Sequence, residues 1–167
     1  MSVLEQAINR IRAGNIPYEF EIEAETRYII EPEPVEKYRW TNHCRDTYDA
    51  SGRARVRIKN GKPRLSVKVP LFSMDTAECK VCLRLEFKPE NPGQEADILW
   101  LRDIIIAEAG AQTIEKWGTR LAAPDGGRVW LNRNSLGKWW FEVDKGVVFT
   151  PPAGIKVVAI EKSDVII

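Results

Sequence analysis

The strands this chain can form carry like charges on one face, and that limits where they can sit. In "EFEIEAETR" the residues Glu19, Glu21, Glu23, Glu25 and Arg27 occupy every second position, so in an extended strand they share a face. The alternation returns with opposite sign in "RARVRIK", where Arg53, Arg55, Arg57 and Lys59 oppose Ala54, Val56 and Ile58. Across a tight-turn signal at "NGK", the partner strand sets Arg64, Ser66 and Lys68 against Leu65, Val67 and Val69. "KVCLRLEFK" then sets Arg84, Glu86 and Lys88 against Leu83, Leu85 and Phe87. A row of like charges gains little from water and repels itself, and burying it unpaired is costly. An acidic wall facing a basic wall relieves both problems. Antiparallel strands closed into a barrel with the charged faces inward would provide that, the acidic wall holding a divalent metal and the basic wall a polyanion. An open sheet with its polar face in water is the competing arrangement.

Between the strands the chain gives helix and turn signals. "SVLEQAINRIRAG" predicts an amphipathic N-terminal helix over 2–13, capped by Ser2 and stopped at Gly14. "EPEPVE" carries two prolines that exclude a helix there. A second helix is predicted in "EADILWLRDIIIAEAGAQ", with Ile98, Leu101, Ile105 and Ala109 on its apolar side. "RVWLN", "KWWFEVDKGVV" and "IKVVAIE" read as further strands. Of the adjacent Trp139 and Trp140, one should face the core and the other the charged interior or the outside. The expected class is α+β, a closed antiparallel β-barrel with a few flanking helices in a single domain of 167 residues.

Several classes of function are excluded or weakened. The 25 Lys+Arg against 24 Asp+Glu leave a net charge of +1, so any functional field must come from how the charges are distributed. No apolar run approaches a membrane span and no export signal opens the chain, so a cytoplasmic location is expected. His43, Cys44, Cys79 and Cys82 form a possible zinc set, but Cys79 and Cys82 flank a strand start, not a turn. No GxxxxGKS loop is present, and His43 has no triad partners in its context.

The order of motifs resembles the CYTH superfamily, the triphosphate tunnel metalloenzymes. "EAETRYII" is similar to the family's ExExK strand through Glu23, Glu25 and Arg27, and "RDTYDASGRARVRI" to its DtYyD segment and R-x-R strand. "RLSVKVP", "LRLEF" and "AGAQTIEKWGTR" resemble the next segments, and "RVWLNRNSLGKWWFEVD" resembles the stretch ending in an acidic pair, here Glu142 and Asp144. The likeness runs in order over about residues 19–145, leaving 146–167 as a C-terminal extension. Arg27 stands for Lys, Asp144 for Glu and Asn132 for Asp, and Lys116 and Arg120 are four apart instead of two.

The resemblance implies a metal-dependent phosphohydrolase acting on a triphosphate or nucleotide in a tunnel. Glu23, Glu25, Glu142 and Asp144 would hold Mg²⁺ or Mn²⁺. Arg53, Arg55, Arg57, Lys68, Arg84, Lys116 and Arg120 would grip phosphates. Arg27 would pair with the glutamates or a terminal phosphate, and Glu21 or Glu86 would position water. Cyclisation of ATP, and a non-catalytic tunnel that sequesters a nucleotide or other polyanion, are the alternatives. Action on RNA 5′ ends would further require an external basic surface.

Overall fold

The computed structural model describes residues 25–73, 80–144, 146–162 and 165–166, with side chains over 26–67, 85–144 and 146–161. The predicted helix at 2–13, Glu21, Glu23 and Cys79 lie outside these residues. Ten strands follow in chain order: β1 (Glu25–Ile30), β2 (Asn42–Tyr48), β3 (Ala54–Lys59), β4 (Lys62–Ser73), β5 (Lys80–Phe87), β6 (Gln112–Leu121), β7 (Val129–Asn134), β8 (Trp139–Asp144), β9 (Val157–Lys162) and β10 (Val165–Ile166). One helix, α1 (Pro92–Ala107), separates β5 from β6. Among the described residues no helix is long and apolar enough to cross a membrane.

All ten strands belong to one sheet, in the order β10-β5-β4-β3-β2-β6-β7-β8-β1-β9. Every pairing is antiparallel except that of β10 with β5. The sheet is open, with β10 and β9 at its two edges, so the closure expected for a barrel is not among the described pairings. The β3–β4 hairpin turns as "NGK" predicts. Asn60 and Gly61 both have positive φ, 52° and 73°, the geometry whose twist matches paired strands. "EPEPVE" does hold a helical element after all, a single 3-10 turn over Val35–Lys37, because Pro34 precedes it and interrupts no hydrogen bond within it.

Apolar residues pack on the face opposite the charged rows in two places. Ile30, Val129, Leu131, Trp139, Phe141 and Val143 form a buried cluster on β1, β7 and β8. The segment after β8 folds back over it, bringing Phe149 to 5.0 Å from Phe141 and 5.5 Å from Tyr28, ring centre to ring centre. Trp40 covers Trp139 edge-on at 5.5 Å. Each such side chain removed from water contributes about 1.5–3 kcal/mol. Elsewhere α1 packs on β2, β3 and β4, with Ile98 buried on the helix and Val56 fully buried on β3. The helix starts at Asn91, whose side chain accepts the Gln94 amide at 2.9 Å, satisfying an otherwise orphaned donor.

Candidate anion-binding site

With the apolar residues taken up by the convex side, alternation turns Arg55 and Arg57 of β3, Asp46 and Tyr48 of β2, Lys116 of β6, Trp140 of β8 and Arg27 of β1 to the other face. These residues line one cavity of about 240 Å³, together with Arg53, Ser66, Asn134 and Lys138. In sheet order β3 and β1 are five steps apart, which in a flat sheet is about 24 Å. For Arg57 and Arg27 to share so small a cavity the sheet must curl strongly, with its charged face concave. Among the described residues on this wall six charged side chains are cationic and Asp46 alone is acidic.

Asp46 organises the basic side. It is 2 % exposed and takes Arg57 in a two-pronged grip, Nε donating to Oδ1 and Nη2 to Oδ2, each at 2.7 Å. The Tyr48 hydroxyl donates to Oδ2 at 3.4 Å, and Arg55 Nη1 lies 3.9 Å away. Burial alone would raise the Asp46 pKa, but the hydrogen bonds and charge of Arg57, with Arg55 and Lys116 behind, hold it below the usual carboxylate range. Arg57 is opposed by burial and raised by Asp46, so its charge is permanent. Arg55 Nη2 donates to Ser66 Oγ at 3.2 Å, while its buried Nε has no hydrogen-bond partner among the described residues. Asp49 sets the approach to β3, accepting the amides of Arg53 and Ala54 at 3.0 and 3.1 Å.

Lys116 stands where the basic and acidic sides meet. Its Nζ sits 5.1 Å from the Trp140 ring centre and 3.9 Å from Glu142 Oε2. The same oxygen lies 3.8 Å from Arg27 Nε and accepts from Trp140 Nε1 at 3.4 Å. Burial lowers the Lys116 pKa; Glu142 opposes the shift, but Arg57 and Arg27 add to it. A cation pressed toward neutrality among other cations is one that an arriving anion would stabilise.

A second cavity, of about 160 Å³, shares Arg57 and Lys116 with the first and is otherwise lined by Asn42, His43, Cys44, Lys59, Gly118, Trp130, Asn132 and Glu142. Gly118 is constrained by its neighbours, since a Cβ there would lie 2.7 Å from Asn132 Oδ1.

The expected site residues therefore divide. Arg27, Arg53, Arg55, Arg57 and Lys116 converge in the first cavity and Glu142 in the second. Arg120 shares the strand face of Lys116 and Gly118 but is exposed and lines neither cavity. Glu86 lies opposite Ser66 in register, with Arg64 Nη1 3.7 Å from its Oε1, and lines neither cavity. Asp144 accepts from Arg128 Nε at 2.8 Å. Glu25 lies opposite Asp144, and Lys68 opposite Arg84, along the backbone; the side chains of Glu25, Lys68 and Arg84 are outside the described set. Among the described residues no three His, Cys, Asp or Glu side chains gather into a metal-holding group. Trp139 and Trp140 part as alternation requires, the first into the core cluster and the second into the cavity. His43 is a strand residue, stacked on Trp117 at 5.1 Å.

Asp46, Tyr48, Lys138 and Asn134 joined the site without having been assigned roles from sequence. Asp46 carries the clearest signal: an acid at even spacing with Cys44 and Tyr48. Comparison with protein-family models, with curated proteins and with solved structures found no match to the chain.

Proposed function

We propose that this chain binds a triphosphate or nucleotide on its cationic concave face and cleaves it as a metal-dependent phosphohydrolase of the CYTH type. The observation that carries the reading is the convergence of Arg27, Arg53, Arg55, Arg57, Lys116 and Lys138 around one cavity with Asp46 as the acidic wall residue. In this reading the curled sheet is the wall of a closed tunnel, and the protein is cytoplasmic. Arg55 and Arg53 meet phosphate oxygens directly, Arg57 is held in position by Asp46, and an arriving anion favours the charged form of Lys116. Glu142 and Asp144, with Glu25 opposite Asp144 in register and Glu23 before it in the chain, would hold Mg²⁺ or Mn²⁺. When bound, the metal would neutralise charge on the phosphoryl group. Glu21 is the residue left to orient water, since Glu86 faces Arg64.

A non-catalytic receptor is the second reading, favoured by two observations. Asp144 is engaged by Arg128, and Asn132 supplies an amide at a position where the resemblance would place a carboxylate. The test is phosphate and nucleotide release from inorganic triphosphate, thiamine triphosphate, ATP and GTP, with Mg²⁺, with Mn²⁺ and with chelator, including a search for cyclic AMP. Metal-dependent release supports the hydrolase and cyclic AMP the cyclase. Binding without turnover supports the receptor. Absence of both binding and turnover refutes the anion site.

A further inference from the structure

The second cavity differs in chemistry from the first. Asn132 on its wall is 5 % exposed, yet its Nδ2 has no hydrogen-bond partner among the described residues. A buried amide donor without a partner is costly, and one that lines a cavity is satisfied by whatever enters it. Facing it across the β6–β7 pairing, Gly118 lies opposite Asn132 in register. A Cβ at Gly118 would crowd the Asn132 amide and come within 3.7 Å of the Trp130 ring, so the glycine keeps that corner open. Trp130 offers an aromatic surface, and Glu142, opposite Trp130 in register, puts a carboxylate on the same wall. Without a metal that carboxylate disfavours a further phosphate, whereas a neutral, flat group bearing an acceptor atom suits donor and ring together.

Arg57 and Lys116 line both cavities, so a phosphate held between them leaves any attached group beside the second one. We infer that the second cavity receives the organic end of the substrate, a nucleobase-type heteroaromatic ring, with Asn132 Nδ2 donating to an acceptor on the ring edge. The inference rests on the phosphate-binding reading of the first cavity. Asn132 then determines specificity, separating nucleoside triphosphates from inorganic triphosphate.

Calorimetric titration of the full chain with inorganic triphosphate, GTP, ATP and CTP, with and without Mg²⁺, tests this. At least one nucleotide should bind more tightly than inorganic triphosphate. Asn132→Leu should weaken that nucleotide about threefold to tenfold, the worth of one neutral hydrogen bond, and shift inorganic triphosphate by less than about twofold. If the leucine variant does not fold, Asn132→Ala, which removes the donor without adding a charge, should produce the same selective loss of the nucleotide. Equal losses for both ligands, or none, overturn the assignment. Binding of inorganic triphosphate with no nucleotide preference overturns it too, but leaves the phosphate site standing; failure of every ligand to bind the wild-type chain overturns both.

Discussion

Replacing Asp46 by asparagine removes the negative charge of a buried acid in the cationic cavity while keeping its shape. In the wild-type chain its two oxygens each accept an Arg57 hydrogen bond at 2.7 Å, at a site 2 % exposed. Taking one partner from a buried, hydrogen-bonded ion pair costs about 3–5 kcal/mol. At roughly 2–4 °C per kcal/mol for a chain of this size, the melting temperature should fall by about 6–20 °C. Urea and thermal unfolding at neutral pH, without ligand, measure this directly. A loss below about 1 kcal/mol, the level of an exposed pair, would refute the argument that Asp46 holds the basic wall together. The folded-state pKa of Asp46 is lowered, so its stabilisation is fully present above the unfolded carboxylate value of about 3.9 and is lost as pH falls through the lowered folded value. Asparagine does not titrate, so the gap between wild type and variant should stay level near neutrality and close in acid. A gap that widens on acidification contradicts the mechanism. Inorganic triphosphate should also raise the variant's melting temperature more than the wild type's, because a phosphate oxygen replaces the lost acceptor.

Other substitutions test separate parts of the structure. Arg55→Ala should weaken inorganic triphosphate binding by about 10- to 150-fold, the value of a charged hydrogen bond of about 1.5–3 kcal/mol; calorimetry showing less than a twofold change would remove Arg55 from the site. Lys116→Met should melt higher than wild type at neutral pH yet bind triphosphate more weakly. The lowered Lys116 pKa means that its charge opposes folding there, and that wild-type stability rises as pH climbs through that pKa; a melting temperature below wild type would contradict this. Gly118→Ala, whose Cβ would meet Asn132 Oδ1 at 2.7 Å, should cost about 1–3 kcal/mol by urea denaturation. Asn91→Ala should cost about 0.5–2 kcal/mol through the lost helix cap and leave ligand affinity unchanged.

Local pattern made the strands with regular alternation legible. Arg55 and Arg57 against Val56, and Trp140 and Glu142 against Phe141, fall on opposite faces as period-two geometry demands, and the Asn60–Gly61 turn follows from the two residues that tolerate positive φ. Strand β2 was harder to read because "NHCRDTY" has few apolar residues. Its inward Asp46 and convex-side Thr47 are both buried polar groups, satisfied by partners on other strands. Such partners are invisible locally, for Arg57 lies 11 residues and Thr113 66 residues along the chain. Arg120, matched to the resemblance's basic segment although it stands four residues from Lys116, is exposed and lines neither cavity, because parity places a residue on a face but not along its length.

Sequence by itself determined which residues can share a face, since the two-residue repeat of an extended chain leaves no choice, and it set charged rows apart from apolar ones. Only the tertiary structure decided that the sheet curls far enough to bring β1 and β3 to one cavity, and that Asp46 locks Arg57. It also decided that Asn132 is left with an unmet donor. Those outcomes depend on long-range strand order and on distances across the concave face, which are fixed by the packing of the convex side and by no local signal.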